Sequence, residues 1–195
     1  MKTIEWHQMA EIMREFPHNN FVVFTHVNRK RFWEPDYLIR KWLARVPRYR
    51  RRGITIDTTF SHCGTAWYDE EEDVINYWHQ TYPYFTKEPL RPRAYNVIYM
   101  VDNEETVKYA RLVCEKLYKK KKGYAIGTLI TFAFTLWFTW LSNPINAGKV
   151  CSQAVAYSYP TISPGNPIDS DPQKVEYNFR DRIPEQFRFV VDRRN

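Results

Sequence analysis

Glycine is scarce in this chain, at six of 195 residues. That scarcity, beside 17% aromatic residues, excludes a fibrous or low-complexity protein. Cysteine is scarce too. Cys63, Cys114 and Cys151 are an odd number with no close pair spacing, which argues against a disulfide framework and against a zinc knuckle. No cofactor or metal is expected. The first sixteen residues are charged and lack the apolar stretch of a secretion signal, so the expected location is cytoplasmic or virion-associated. Acidic residues are outnumbered, 22 against 29 Lys and Arg, for a net charge of +7.

What is present points to a folded domain. Apolar residues make up 44% of the chain, enough for a core. The basic excess is local. Residues 29–52 carry ten Lys and Arg against Glu34 and Asp36, and a second run spans 119–122. Aromatic residues interleave the first run, an arrangement that suits phosphate contact and base stacking. Trp42, however, shares helical spacing with Leu38, so nucleic acid is not expected as a partner. Residues 124–141 are apolar apart from Gly127 and four threonines, at the short limit for a membrane span. Two readings stay open for them, a core helix and membrane contact through 124–141.

Local patterns place the elements. Ile4, Met9, Ile12, Met13 and Phe16 have helical spacing, stopped by Pro17. Residues 21–24 read as a buried strand, 36–45 as a helix, 48–52 as a basic loop and 54–59 as a short strand. Residues 60–68 and 74–80 read as strands joined by the acidic turn 69–73, and 95–101 as another strand. A helix runs from a cap at Asp102 or Asn103 to about Lys120. Val107, Ala110, Val113, Cys114 and Leu117 form its apolar stripe, and Gly123 is its terminator. A helix follows Cys151, over about 152–159. Residues 1–165 read as the domain and 166–195 as an extended C-terminal tail wrapping its surface, with a late strand at 187–191. The tail reading rests on the five prolines from Pro160 to Pro184.

Two segments carry chemistry: Phe60-Ser61-His62-Cys63-Gly64-Thr65-Ala66-Trp67 and Gly148-Lys149-Val150-Cys151-Ser152-Gln153-Ala154-Val155-Ala156-Tyr157. A cysteine in the first turn of a helix meets unpaired N–H groups and the positive end of the macrodipole, which favour thiolate. Those N–H groups can also receive an oxyanion. A histidine on an adjoining strand can take the thiol proton and return it to a leaving group. Cys151 and His62 are the candidate pair. Asn76, an isolated amide in the strand after the turn, is the candidate orienting group. His79 is the alternative, on the opposite face of that strand.

The "S-H-x-G" strand, the hairpin, the "V-I-x" strand, the helix, the "G-Y-A-I-G" helix start and then "C-S-Q-A-V-A-Y" resemble the permuted NlpC/P60 superfamily over roughly residues 20–165. The nearest branch is the YiiX/YebB-like cysteine hydrolases, related to the lecithin retinol acyltransferase fold. The resemblance implies an α+β, papain-like NlpC/P60 fold in circularly permuted order, with an antiparallel sheet packed against helices. It implies His62 as the motif histidine and Cys151 as nucleophile of a cysteine peptidase or amidase acting on peptidoglycan. Asn76 falls where that family often carries Glu. Cys63 stands where it usually carries an apolar residue, and alternation assigns Cys63 to packing away from the site. Two other readings stay open: a structural protein on this scaffold with virion or tail neighbours, as in a phage, and an acyl hydrolase or transferase acting on lipid with the same pair.

Overall fold

Runs of β-branched and aromatic residues build the centre of the molecule. The computed structural model describes residues 1–26, 40–41, 43–45, 47–53, 55, 59–81, 84–91, 93, 95–121, 123, 151–167 and 170–193. In chain order the elements are β1 (Lys2–Thr3), α1 (Trp6–Glu15), β2 (Asn20–His26), the short α2 (Pro47–Arg50), β3 (His62–Asp69), β4 (Val74–Gln80), β5 (Phe85–Pro89) and β6 (Tyr95–Val101). They continue with α3 (Glu104–Lys119), α4 (Cys151–Ser158), α5 (Pro172–Arg182), a 3-10 turn (Glu185–Phe187) and β7 (Arg188–Asp192). The chain is mixed α+β. Its strands form one seven-stranded sheet in the order β1-β7-β6-β2-β3-β4-β5. The β1–β7 pair is parallel and the other pairs are antiparallel.

Side chains alternate across a strand, so each strand serves two cores. Phe21, Val23, Ala66 and Ile98 pack with Ile4 and with Met9 and Met13 of α1 on one face. Val22, Phe24, Val97 and Tyr99 pack with α3, α4 and α5 on the other, through Val107, Ala110, Val155 and Phe179. Burial on both faces explains why β2 and β6 read as continuous apolar runs. At the far end of the sheet Trp67 and Trp78 stack with centroids 4.8 Å apart, against Val113, Cys114 and Leu117 of α3.

The hairpin and α3 follow the sequence pattern closely. Asp69 Oδ1 accepts the N–H groups of Glu71 and Glu72, both at 3.2 Å, which shapes the acidic turn. Asn103 Oδ1 caps α3 by accepting the Thr106 N–H at 2.9 Å. The helix ends earlier than Gly123. Lys121 takes the left-handed conformation at φ 44°, and its N–H bonds Tyr118 O at 2.9 Å. Gly123 instead bridges to Tyr84. The residues expected as the helix 36–45 and the strand 54–59 lie largely outside the described residues, and the segment 124–141 lies wholly outside them. Among the described residues no helix is long and apolar enough to cross a membrane.

Residues 166–195 correct the expectation of an extended tail. Pro172 starts α5, where its missing N–H is harmless, and the Asp171 side chain caps the helix by accepting the Lys174 N–H at 2.8 Å. Phe179 meets Tyr159 edge-on at 5.4 Å and Phe24 at 5.8 Å inside the core. Buried Glu176 accepts the Tyr99 hydroxyl at 2.6 Å and three Arg180 hydrogen bonds at 2.7, 2.9 and 3.0 Å. β7 then enters the sheet between β1 and β6. Pro172 and Pro184, read as surface chain, stand at the starts of α5 and of the 3-10 turn, and both α5 and β7 pack with the rest of the fold.

Candidate active site

The site forms where β3 begins and α4 begins. His62 is the first residue of β3, paired with Thr25 of β2. The loop before it is pinned. Ser61 N–H donates to Thr25 O at 3.2 Å. Arg40 lies 2.8 Å from His26 Nε2, and His26 Nδ1 lies 3.0 Å from Thr59 O. A guanidinium can only donate, so Nε2 accepts and Nδ1–H donates to the carbonyl, which fixes this tautomer. Buried Arg40 and His26 thereby anchor the approach to His62.

A chain of polar groups runs from His62 across β4 to β5. His62 Nε2 is 2.7 Å from His79 Nδ1, and His79 Nε2 is 3.1 Å from Glu88 Oε1. His79 is opposite Gly64 in the β3–β4 register, one diagonal from His62. The two rings meet at 85° with centroids 4.8 Å apart. Tyr77 stacks on His79 at 4.4 Å and fills the space above Gly64. Burial, then the charges of His62 and Arg93, push the His79 ring down from 6.5 to about 2. His79 is therefore neutral at working pH. Its Nε2–H donates to the Glu88 carboxylate, and its Nδ1 accepts Nε2–H of His62.

The His62 ring also acts on Cys151, the first residue of α4 and 5% exposed. Its thiol is held well below the ordinary range. A hydrogen bond from the Cys63 side chain is the largest cause, opposed by burial. The charge of His62, a hydrogen bond from its ring and the Cys63 peptide N–H add to the lowering. Burial, together with the bond to Cys151, pushes the Cys63 thiol up, so of the two sulfurs Cys151 carries the negative charge. Cys114 behaves differently. Burial pushes its thiol up to about 12, and its sulfur sits 3.9 Å from Ser158 Oγ in the α3 stripe.

The structure brings His62 and Cys151 together and places Asn76 elsewhere. Asn76 pairs with Trp67, and its Nδ2 donates to Asp69 Oδ2 at 3.3 Å and Glu72 Oε2 at 3.2 Å. It supports the hairpin turn, three residues or about 10 Å along β4 from His79. The side chain beside His62 is that of His79, the alternative of the two. Cys63 corrects a second expectation. Its side chain does pack in the core, but against Cys151. Alternation sends residues 62 and 63 to opposite faces, yet both reach one sulfur because His62 is the terminal residue of its strand. Glu88 was missed altogether. Its signal is a carboxylate on the same face as Tyr77 and His79, visible only once the β4–β5 register is known. Among the described residues no group of His, Cys, Asp and Glu is arranged to hold a metal ion.

The neutrality of His79 makes a prediction about stability. Its folded value lies below its unfolded value, so the unfolded chain binds the extra proton in acid. The stability this group contributes is complete above pH 6.5 and is lost as pH falls toward 2. The limiting slope is about 1.4 kcal/mol per pH unit for one proton. Urea unfolding between pH 6.5 and 5 should cost the wild type up to about 2 kcal/mol more than His79→Gln. Parallel pH dependences in the two proteins would remove the assignment.

No protein-family model matches this chain, and neither does any curated protein sequence. The reading of the site therefore stands on its geometry and on the sequence motifs.

Proposed function

We propose that this protein is a thiol hydrolase on a papain-like scaffold in permuted order, cleaving an amide bond in a cell-wall peptide. The observation that carries this reading is one continuous set of contacts, Cys151 to His62 to His79 to Glu88. The peptide substrate comes from the resemblance to the permuted NlpC/P60 superfamily.

Each group has a chemical task. The Cys151 thiolate attacks the carbonyl carbon, and the C–O π electrons move onto oxygen. The peptide N–H of Cys151, at the start of α4, faces the developing oxyanion. The His62 imidazolium gives its proton to the leaving nitrogen as the C–N bond breaks. Neutral His62 then takes a proton from water, which attacks the acyl-enzyme and releases the thiolate. His79 holds His62 in the tautomer that presents Nδ1 to the sulfur, and Glu88 holds His79.

The test is alkylation with iodoacetamide followed by peptide mapping across pH. Cys151 should label below the pH at which an ordinary thiol reacts, while Cys114 stays unlabelled. A Cys151 that labels only above about pH 8.5, as an ordinary thiol does, sinks the proposal. Peptidoglycan fragments set against lipid esters then separate amide cleavage from the acyl-lipid alternative.

A further inference from the structure

The mechanism uses Cys151 as nucleophile and asks no covalent step of the second sulfur beside it, that of Cys63. Cys63 is fully buried on β3, and Cys151 lies in the same core cluster with Phe24, Phe60 and Val155. Shared burial in that cluster sets Cys63 beside Cys151, and the Cys63 side chain and peptide N–H are among the causes that lower the Cys151 thiol. Both thiols are free. Solvent reaches neither readily, but Cys151 is the more exposed of the two, and it opens onto His62, which is half-buried. A small oxidant that reacts with Cys151 therefore meets a neighbouring thiol, that of Cys63, in the same buried cluster. Cys114 is spoken for by Ser158 and by the Trp67–Trp78 cluster.

We propose that Cys63 is the resolving thiol of Cys151, and that the pair closes to an intramolecular disulfide when the protein meets a hydroperoxide. In the first step the Cys151 thiolate attacks one peroxide oxygen. An S–O bond forms, the O–O bond breaks, and hydroxide leaves and becomes water by taking a proton. The sulfur is oxidised to sulfenic acid and the peroxide is reduced. In the second step the Cys63 sulfur attacks the sulfenic sulfur. The S–S bond forms, the S–O bond breaks, and the departing hydroxide takes the Cys63 proton as a second water. Two thiols and one hydrogen peroxide give one disulfide and two waters. The disulfide ties the first residue of α4 to β3 and removes the nucleophile. A dithiol reductant restores it. Resolution from inside the core means that Cys63 needs no solvent access of its own.

The experiment adds hydrogen peroxide, one to a few equivalents, to the full chain and reads intact mass without reductant. The wild type should lose about 2 Da, and digestion should yield a cross-linked peptide pair containing Cys63 and Cys151. Cys63→Ser should instead gain about 32 Da at Cys151 as sulfinic acid, which dithiothreitol does not reverse. Cys114→Ser should behave as the wild type. A wild type that gains oxygen at the Cys63→Ser rate overturns the proposal. So does a cross-link through Cys114, or a wild-type mass unchanged by peroxide. The readout is mass, so a protein with no hydrolytic activity still tests the pair, and failure here leaves the hydrolase reading to its own test.

Discussion

Cys151→Ala is expected to lower kcat/KM for hydrolysis by at least about four orders of magnitude while the fold survives. The loss is large because the remaining parts, His62, His79 and Glu88, only move or hold protons. Without the sulfur there is no acyl-enzyme, and residual catalysis comes from binding and oxyanion contacts alone. The structural cost is small. One buried sulfur leaves the cluster that Cys63 and Val155 share, a cavity of about methyl size worth roughly 1 kcal/mol. The same change also ends a buried thiolate and its need for the Cys63 and His62 hydrogen bonds, which offsets part of that cost. Hydrolysis assays and thermal melts on one preparation check both halves. Hydrolysis at the wild-type rate in this variant would reject Cys151 as nucleophile.

Gly64→Ala should be the most disruptive single methyl group in the sheet. A Cβ at position 64 would lie 2.7 Å from His79 Cβ, 2.7 Å from Tyr77 Cε2 and 2.8 Å from the Trp78 carbonyl oxygen. Two of those three are rigid parts of β4, so the strands must separate or the rings must leave. Overpacking of this kind costs typically 1–3 kcal/mol, and the backbone clash puts this case at about 3 kcal/mol or more. The displaced residues are the ones that orient His62, so folded molecules should also lose more than about tenfold in activity. Gly123→Ala is the control. Nothing lies within 4 Å of a Cβ there, and its stability should change by less than about 0.5 kcal/mol. Equal melting temperatures for the two variants would show that β3 and β4 are not packed as described.

The Gly64→Ala prediction depends on the register of one strand pair, and that register marks the limit of local reading. The bounds of β4 and β6, the Asp69 turn and the α3 stripe were legible because their periodicity is carried by consecutive residues. The orienting residue was not. Asn76 and His79 sit on the same strand, and choosing between them needs the offset that sets His79 opposite Gly64 and Asn76 opposite Trp67. Glu88 required a second register, β4 against β5, that no local pattern carries. The C-terminal region misled for a related reason. Pro172 at the start of a helix and proline in an extended tail look alike until the buried face of α5 has a core to meet.

Two sequence segments by themselves determined the order of the chemistry, a strand histidine first and a helix-terminal cysteine about ninety residues later. They also determined the α+β class, since hydrophobic spacing of two and of 3.6 residues is a local property. Only the tertiary structure decided what stands around the sulfur. His79, Glu88 and Cys63 reach the site through strand pairing and through the meeting of one strand end with one helix end, contacts between residues distant in the chain. Those are set by the packing of the whole sheet. That packing set Cys63, an alternation-assigned core residue, in the same buried cluster as Cys151.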